Sequence, residues 1–338
     1  MHNVSSHSYQ PISVLIAMKN EKENLPSLFN SLSNLDYPRD KFEIIIVDDN
    51  STDGTFTAAK EIFSSLENVN IVKVTNKKYP YKKGALDFGL QFCKNDFIAL
   101  TDADCKPEKD WLKKISVALE KFDLAFGSAP LIPTNTLASK FAAYESSKNQ
   151  IANLIGLQIG IPFSATGRNF AYKKSSFLKI GGYSKTLETI SGDDDLLLRE
   201  AYIKKLKIGF IDPGNAKVFS NAPDNWEKYF KQRSRHVKTS HHYTFIQKLF
   251  GFIYFVSEII FTYSFLLVPL GIFFTLVTLL KLKITYSTIK QNIFLFYTKP
   301  KIGEFLLFEL IFPIILLVNF MLSIFSKTDW KNKKGEHN

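Results

Sequence analysis

From Pro11 to about Ser220, short apolar runs rich in β-branched residues alternate with longer stretches of helical periodicity. Ile12–Met18, Glu43–Val47, Val69–Val74 and Asp96–Leu100 read as buried strands. Glu23–Leu32 and Thr55–Leu66 read as the helices between them. Strands buried on both faces are apolar throughout, so this alternation predicts an α/β domain built on a mostly parallel sheet. No internal repeat or low-complexity linker interrupts it.

The last third follows another rule. Leu249–Leu280 is apolar with Glu258 its only charged side chain, and Phe305–Ile324 is apolar with only Glu309 near its start. A membrane crossing takes about 20 such residues, so the second run fits one span. The first is too long for one untilted helix, and Pro269 with Gly271 divides it. A hairpin of two short helices and one long tilted helix both satisfy the pattern. The organisation expected is an α/β domain over 1–240 and a membrane region over 241–338. About three transmembrane or interfacial helices follow, near 249–266, 268–285 and 303–325. Lys281, Lys283, Lys290, Lys299 and Lys301 in the loop, and Lys327, Lys331, Lys333 and Lys334 in the tail, each favour a cytosolic location. Two crossings before that loop and one after it cannot place both there, so the count stays between two and four.

Charge narrows the picture only slightly. The chain carries 43 Lys plus Arg against 32 Asp plus Glu, a formal +11, which suits nucleic acid, an anionic membrane surface or a phosphate-rich substrate. A nucleic-acid binder explains neither the apolar tail nor the ordered carboxylates described next. Cys93 and Cys105 lack the spacing of a zinc site or disulfide framework and read as reduced thiols. The polar start, Met1–Gln10, has no apolar run of a signal peptide, so the domain is expected to face the cytoplasm.

Three acidic clusters fall where strands end. The first strand to do so empties into Asp48-Asp49-Asn50-Ser51-Thr52-Asp53. Ligands of open parallel sheets bind beyond the carboxyl ends of strands, where such acids can accept from nucleobase and ribose donors. The same residues also make turns and helix caps. Phe97–Thr101 leads into Asp102-Ala103-Asp104, two hard oxygen donors suited to Mg²⁺ or Mn²⁺. Gly192-Asp193-Asp194-Asp195 opens a helix-like Leu196–Lys204. Capping uses one or two of these acids, and mutual repulsion raises the proton affinity expected of a general base in another. Lys231-Gln232-Arg233-Ser234-Arg235-His236, just before the apolar region, suits either anionic lipid headgroups or a forked grip on a diphosphate.

Taken in order, Pro11–Glu21, Val47–Asp53, Asp102-Ala-Asp104, Gly192–Asp195 and Gln232-Arg-Ser-Arg235 resemble the family 2 glycosyltransferases. The resemblance covers roughly residues 10–240, and the apolar helices resemble that family's membrane-anchored branch. It implies the type A nucleotide-sugar transferase fold and a UDP- or GDP-sugar donor. It also implies a Mg²⁺ or Mn²⁺ cofactor and a membrane lipid or lipid-linked glycan as acceptor, at the cell membrane. By position, Asp48 or Asp49 is expected to contact the donor base. Lys83 and Gly84 are expected in the donor pocket, and Asp102 and Asp104 at the metal, with Asp102 also facing the donor. Gly167, in Gly167–Ala171, with Gly181 and Gly182, matches the segment leading to the acceptor side. Asp194 aligns with the catalytic base, Asp193 and Asp195 remaining possible substitutes, with Asp193 also placed on the acceptor side. Gln232, Arg233 and Arg235 are expected on the donor diphosphate, and His236 stands where the family commonly has the Trp that holds an acceptor sugar. His offers less apolar surface than Trp, which weakens a processive reading. A processive polysaccharide synthase remains the alternative, and a catalytically silent membrane scaffold the non-enzyme alternative.

Overall fold

The computed structural model describes residues 9–189 and 191–325. In chain order these form β1 (Ile12–Met18), α1 (Leu25–Ser33), β2 (Phe42–Asp48), α2 (Thr55–Ile62), β3 (Val69–Lys73) and α3 (Tyr81–Leu90). Next come β4 (Phe97–Asp102), β5 (Lys106–Pro107), α4 (Trp111–Lys121), β6 (Leu124–Phe126), β7 (Leu131–Ile132) and α5 (Leu137–Gln158). Then follow β8 (Phe170–Lys173), α6 (Lys174–Lys179), α7 (Asp195–Ile203), β9 (Ile208–Phe210) and β10 (Val218–Asn221). The chain continues through α8 (Trp226–Ser240), α9 (Phe245–Tyr263), α10 (Phe273–Gln291) and α11 (Ile302–Phe325).

Two compact units emerge, and neither is contiguous. One holds the described residues up to 129 together with 164–220, and the other holds 130–163 and 221–325. The expected linear boundary at 240 is therefore not where packing divides the chain, because α5 and α8 group with the apolar helices.

The first unit is a seven-stranded sheet in the order β3-β2-β1-β4-β8-β6-β9. β1 pairs in parallel with β2 and β4, β2 with β3, and β6 with β9; β8 runs antiparallel to β4 and β6. Alternation of side chains explains its two covers. Val14, Ile16, Ile44 and Ile46 join Leu28 and Leu32 of α1, Ala59 of α2 and Trp111, Ile115 and Leu119 of α4 in one core. Leu15 and Val47 turn the other way and meet α3, where a Cβ on Gly89 would stand 2.6 Å from Leu15 and 2.4 Å from Val47.

The second unit is helical. Phe245–Leu270 spans 26 residues at mean hydropathy 1.8, and Ile302–Ile324 spans 23 at 2.5. Both are long and apolar enough to cross a membrane. Only 17% and 39% of their most apolar windows is buried in the protein, which is unlike the core helix of a water-soluble domain. The first run breaks as its Pro and Gly predict: Ser264–Leu270 winds as a 3-10 segment around Pro269, Gly271 takes φ 152°, and α10 folds back on α9. After the break α10 begins at Phe273, and the last apolar run forms the single helix α11, Ile302–Phe325.

Among the described residues, four buried charges of these helices pair with one another. Lys148 of α5 lies 2.7 Å from Glu309 of α11 and 3.0 Å from Glu258 of α9. Lys281 of α10 lies 3.1 Å from Glu258 and also binds Glu309. Tyr144 donates to Glu309 at 2.6 Å, and the Lys148 ammonium sits 3.9 Å from the centre of the Phe312 ring. Two carboxylates thus meet two ammoniums, the only economical way to bury such groups away from water.

Candidate active site

The first unit gathers its acids at the carboxyl ends of β2 and β4 and at the start of α7. Asp48 ends β2 fully buried and accepts from the Ser51 amide at 3.2 Å. Asp49, 2% exposed, is ion-paired with Lys77. Asp53 serves the turn, accepting from the Thr55 amide at 3.0 Å as α2 begins. Only part of this first cluster therefore remains for a ligand.

Asp102 is the last residue of β4, and the turn after it brings Asp104 and Cys105 round. Ligand atoms of these three residues lie within 4.8 Å of one another. The Cys105 thiol, 1% exposed, is pushed well above its usual range by burial and by the neighbouring carboxylates, and sulfur is in any case a soft donor that suits a hard cation poorly. Asp102 and Asp104 remain as oxygen donors. Asp104 keeps part of its surface exposed, but its carboxyl lies in the turn, where desolvation and then the charges of Asp102 and Glu21 raise it more than nearby Arg168 lowers it. Two carboxylates this close offer the hard oxygen donors that Mg²⁺ or Mn²⁺ take.

The cation that already rests on Asp102 belongs to the protein. The Lys82 ammonium lies 2.7 Å from an oxygen of Asp102 and 2.6 Å from one of Asp193. Burial opposes its charge, but the two carboxylates prevail and hold its pKa well above the usual lysine range. For Asp193, burial alone would raise the pKa; the Lys82 charge outweighs it and keeps the carboxyl low. Sequence reasoning singled out the next residue instead. Lys83, 2% exposed, turns inward and donates to the carbonyls of Thr186 and Thr189, tying down the segment that leads into the third cluster. Successive helix positions point about 100° apart, which separates the two lysines. Gly84 is required by close approach: a Cβ there would stand 1.9 Å from the Tyr79 carbonyl oxygen.

The three consecutive acids divide their work. Asp195, 6% exposed, accepts from the Ser164 hydroxyl at 2.8 Å and the Ala165 amide at 2.9 Å. Asp194 caps α7 by accepting from the Asp195 amide at 2.7 Å, and its other oxygen accepts from the Gly167 amide at 2.6 Å. A Cβ on Gly167 would come within 3.0 Å of that oxygen. Burial, followed by the charges of Asp195 and Asp193, raises the Asp194 carboxyl well above its ordinary range. Beside Gly167, Asn169 is a bracket: it accepts from the Trp111 indole at 3.0 Å and donates to Ser128 and Ala216 carbonyls at 2.9 and 3.1 Å. Gly181 and Gly182 both adopt positive φ, at 90° and 58°, in the turn after α6.

Gln232, Arg233, Arg235 and His236 lie on α8 of the second unit. Gln232 is exposed. Arg233 is engaged with the buried carboxylate of Glu145, at 3.0 Å from Nη2 and 3.1 Å from Nε. Tyr229 donates to the other Glu145 oxygen at 2.7 Å, and the Asn319 amide donates to Tyr229 at 3.0 Å. Glu145, Tyr229, Asn319 and Lys82 were not singled out from sequence. A charged residue in the long helix α5 and an amide in the apolar α11 were the available signals for two of them.

A mostly parallel sheet with acids at its strand ends defines the type A nucleotide-sugar transferase fold. It is similar to the mannosyltransferase PcManGT from Pyrobaculum calidifontis in complex with GDP-Man and Mn2+, with TM-score 0.51 and 20% identity, over 69% of this chain and 62% of that one. The Glycosyl transferase family 2 model matches residues 13–181, half of the chain, and the chain belongs to that family. It is 30% identical over 233 residues to the probable glycosyltransferase YdaM of Bacillus subtilis, covering 66% of this chain and 54% of that protein. It is 34% identical over 101 residues to a beta-monoglucosyldiacylglycerol synthase of Nostoc sp., covering 30% of this chain and 22% of that one. The chain thus spans about half the length or less of these relatives.

Proposed function

We propose that this protein is an inverting glycosyltransferase that moves a sugar from a UDP- or GDP-sugar to a lipid or lipid-linked glycan held at a membrane. The observation that carries this reading is the Lys82 bridge. It joins the acid that ends β4 to the acid that precedes Asp194, so one site holds both a cation-binding carboxylate pair and a raised, protein-held carboxylate. The lipid-acting name of the Nostoc sp. relative and the two apolar stretches support a membrane acceptor. A multi-pass placement with the first unit toward the cytoplasm follows from where nucleotide sugars are made.

In the proposed reaction Asp194 takes the proton from an acceptor hydroxyl. That oxygen attacks the anomeric carbon from the face opposite the diphosphate. The carbon–oxygen bond to phosphate breaks, and the nucleoside diphosphate leaves with the electron pair. The Gly167 amide keeps one Asp194 oxygen oriented, and the Asp195 amide keeps the other. Asp102 and Asp104 would hold Mg²⁺ or Mn²⁺, which when bound offsets charge on the departing diphosphate. Asp48 and Asp49 form the floor on the nucleoside side.

Membranes carrying the protein, given a panel of nucleotide sugars and extracted lipids, should release nucleotide only with Mg²⁺ or Mn²⁺ present. Asp194→Asn should abolish turnover while nucleotide-sugar binding persists. Full activity in that variant would remove Asp194 from the mechanism. A product carrying one added sugar supports single transfer, and a long polymer would establish the processive alternative.

A further inference from the structure

We infer that Lys82 is a built-in competitor of the divalent cation, an internal counter-ion that must let go of Asp102 when the metal binds. This rests on the metal reading above and adds a residue to it.

The geometry sets the competition. Lys82 lies 2.7 Å from Asp102, whose ligand oxygen is within 4.8 Å of that of Asp104. A divalent ion between the two carboxylates would stand within a few ångströms of the ammonium, and two cations at that separation repel strongly. Lysine is suited to yielding, because its charge is a compact head on a flexible stem rather than a rigid fork. It also has somewhere to go. Asp193, 13% exposed at its side chain, already lies 2.6 Å from the same ammonium. Leaving Asp102 therefore costs Lys82 one partner and not both, while Asp102 exchanges a single charge for a double one.

Two consequences follow. Without metal, Lys82 neutralises part of a crowd comprising Asp102, Asp104, Asp193 and Asp194. With metal, the ammonium concentrates on Asp193, the residue next to Asp194. Loading at the end of β4 is thereby transmitted to the start of α7 through one side chain.

The test measures metal binding directly, on the full chain in lipid nanodiscs, by the electron paramagnetic resonance signal of free Mn²⁺ during titration. Lys82→Met and Lys82→Gln remove the charge and should tighten Mn²⁺ binding by about tenfold or more, the scale of one nearby charge on a divalent ion at a partly solvated site. Lys82→Arg keeps the charge and should bind Mn²⁺ no more tightly than the unaltered protein. Thermal unfolding identifies which of the two neutral variants is folded and can be read. Unchanged or weaker binding in a folded neutral variant, with Mn²⁺ binding intact in the unaltered protein, overturns the inference. If the unaltered protein and Asp102→Asn bind Mn²⁺ equally, it is the metal reading itself that fails.

Discussion

Glu309→Gln isolates the contribution of charge pairing among the second unit's helices. The side chain keeps its shape but removes one of two negative charges facing Lys148 and Lys281. Glu309 is fully buried, and the two lysine side chains are 7% and 11% exposed, so water can do little to rescue the surplus charge. Breaking a buried pair by removing one partner costs about 3–5 kcal/mol. Here Glu309 serves two ammoniums and accepts from Tyr144 as well, which places the loss toward the upper part of that range. For a helical unit of this size that corresponds to a fall of roughly 10 °C or more in Tm. Purified protein in nanodiscs, heated and followed by tryptophan fluorescence and by the monodisperse fraction remaining, gives the number. Replacing all four charged residues together, Lys148→Met, Lys281→Met, Glu258→Gln and Glu309→Gln, should be milder than Glu309→Gln alone, because no charge is left unpaired. A Tm unchanged within about 2 °C for Glu309→Gln, or a quadruple variant worse than the single one, would refute the reasoning.

Gly84→Ala puts a methyl group 1.9 Å from a backbone oxygen that no rotamer change can move. It should displace the start of α3, cost about 3 kcal/mol or more as severe overpacking does, and, by drawing Lys82 off Asp102, leave Mn²⁺ binding no weaker than in the unaltered protein. Circular dichroism melts and the same Mn²⁺ titration read both effects. For pH, a base must be ionised to act, and burial with the Asp195 and Asp193 charges raises the Asp194 carboxyl. Activity should therefore fall on the acidic side at a pH above the ordinary carboxylate range. Ionising that group also works against the ligand-free fold, since the native state holds the proton more tightly than the unfolded chain. The Tm of the unaltered protein should accordingly fall as pH rises through the range in which Asp194 ionises, and this part of the pH dependence should be missing in Asp194→Asn; an equal fall in both would contradict the sign of the shift.

The sheet was legible because period and burial agree in it. β1 and α2 begin where the patterns of Ile12–Met18 and Thr55–Leu66 begin, although α2 stops at Ile62. The placement of Asp102 at a strand end and of Asp194 at a helix start was legible because an apolar run stops or begins there. What escaped were roles set by partners distant in sequence. Lys82 and Lys83 are neighbours of the same type, and only the packing of α3 decides which meets Asp102 and which meets Thr186. Helix α5 was missed because Glu145 and Lys148 resemble solvated residues until Arg233, Glu258 and Glu309 are brought to them. The same pairing changes the reading of Arg233. Its guanidinium is bound to the protein's own carboxylate, a partner that a basic run before an apolar region does not reveal.

Helix α5 is made by the ribosome long before the residues that neutralise it. When Lys148 emerges, Glu258 and Glu309 have not been synthesised, and Glu145 still lacks Arg233 and Tyr229. The nascent helix thus carries charges that keep it wet until the apolar helices are in place, and only then can it dry and dock. Cutting the gene at the end of the catalytic motifs, in the hope of a water-soluble enzyme, would leave α5 permanently in that unfinished condition. A shortened protein meant to dissolve could keep Lys148, but would need Phe141 and Tyr144, which lose their cover on Phe308, replaced at the same time.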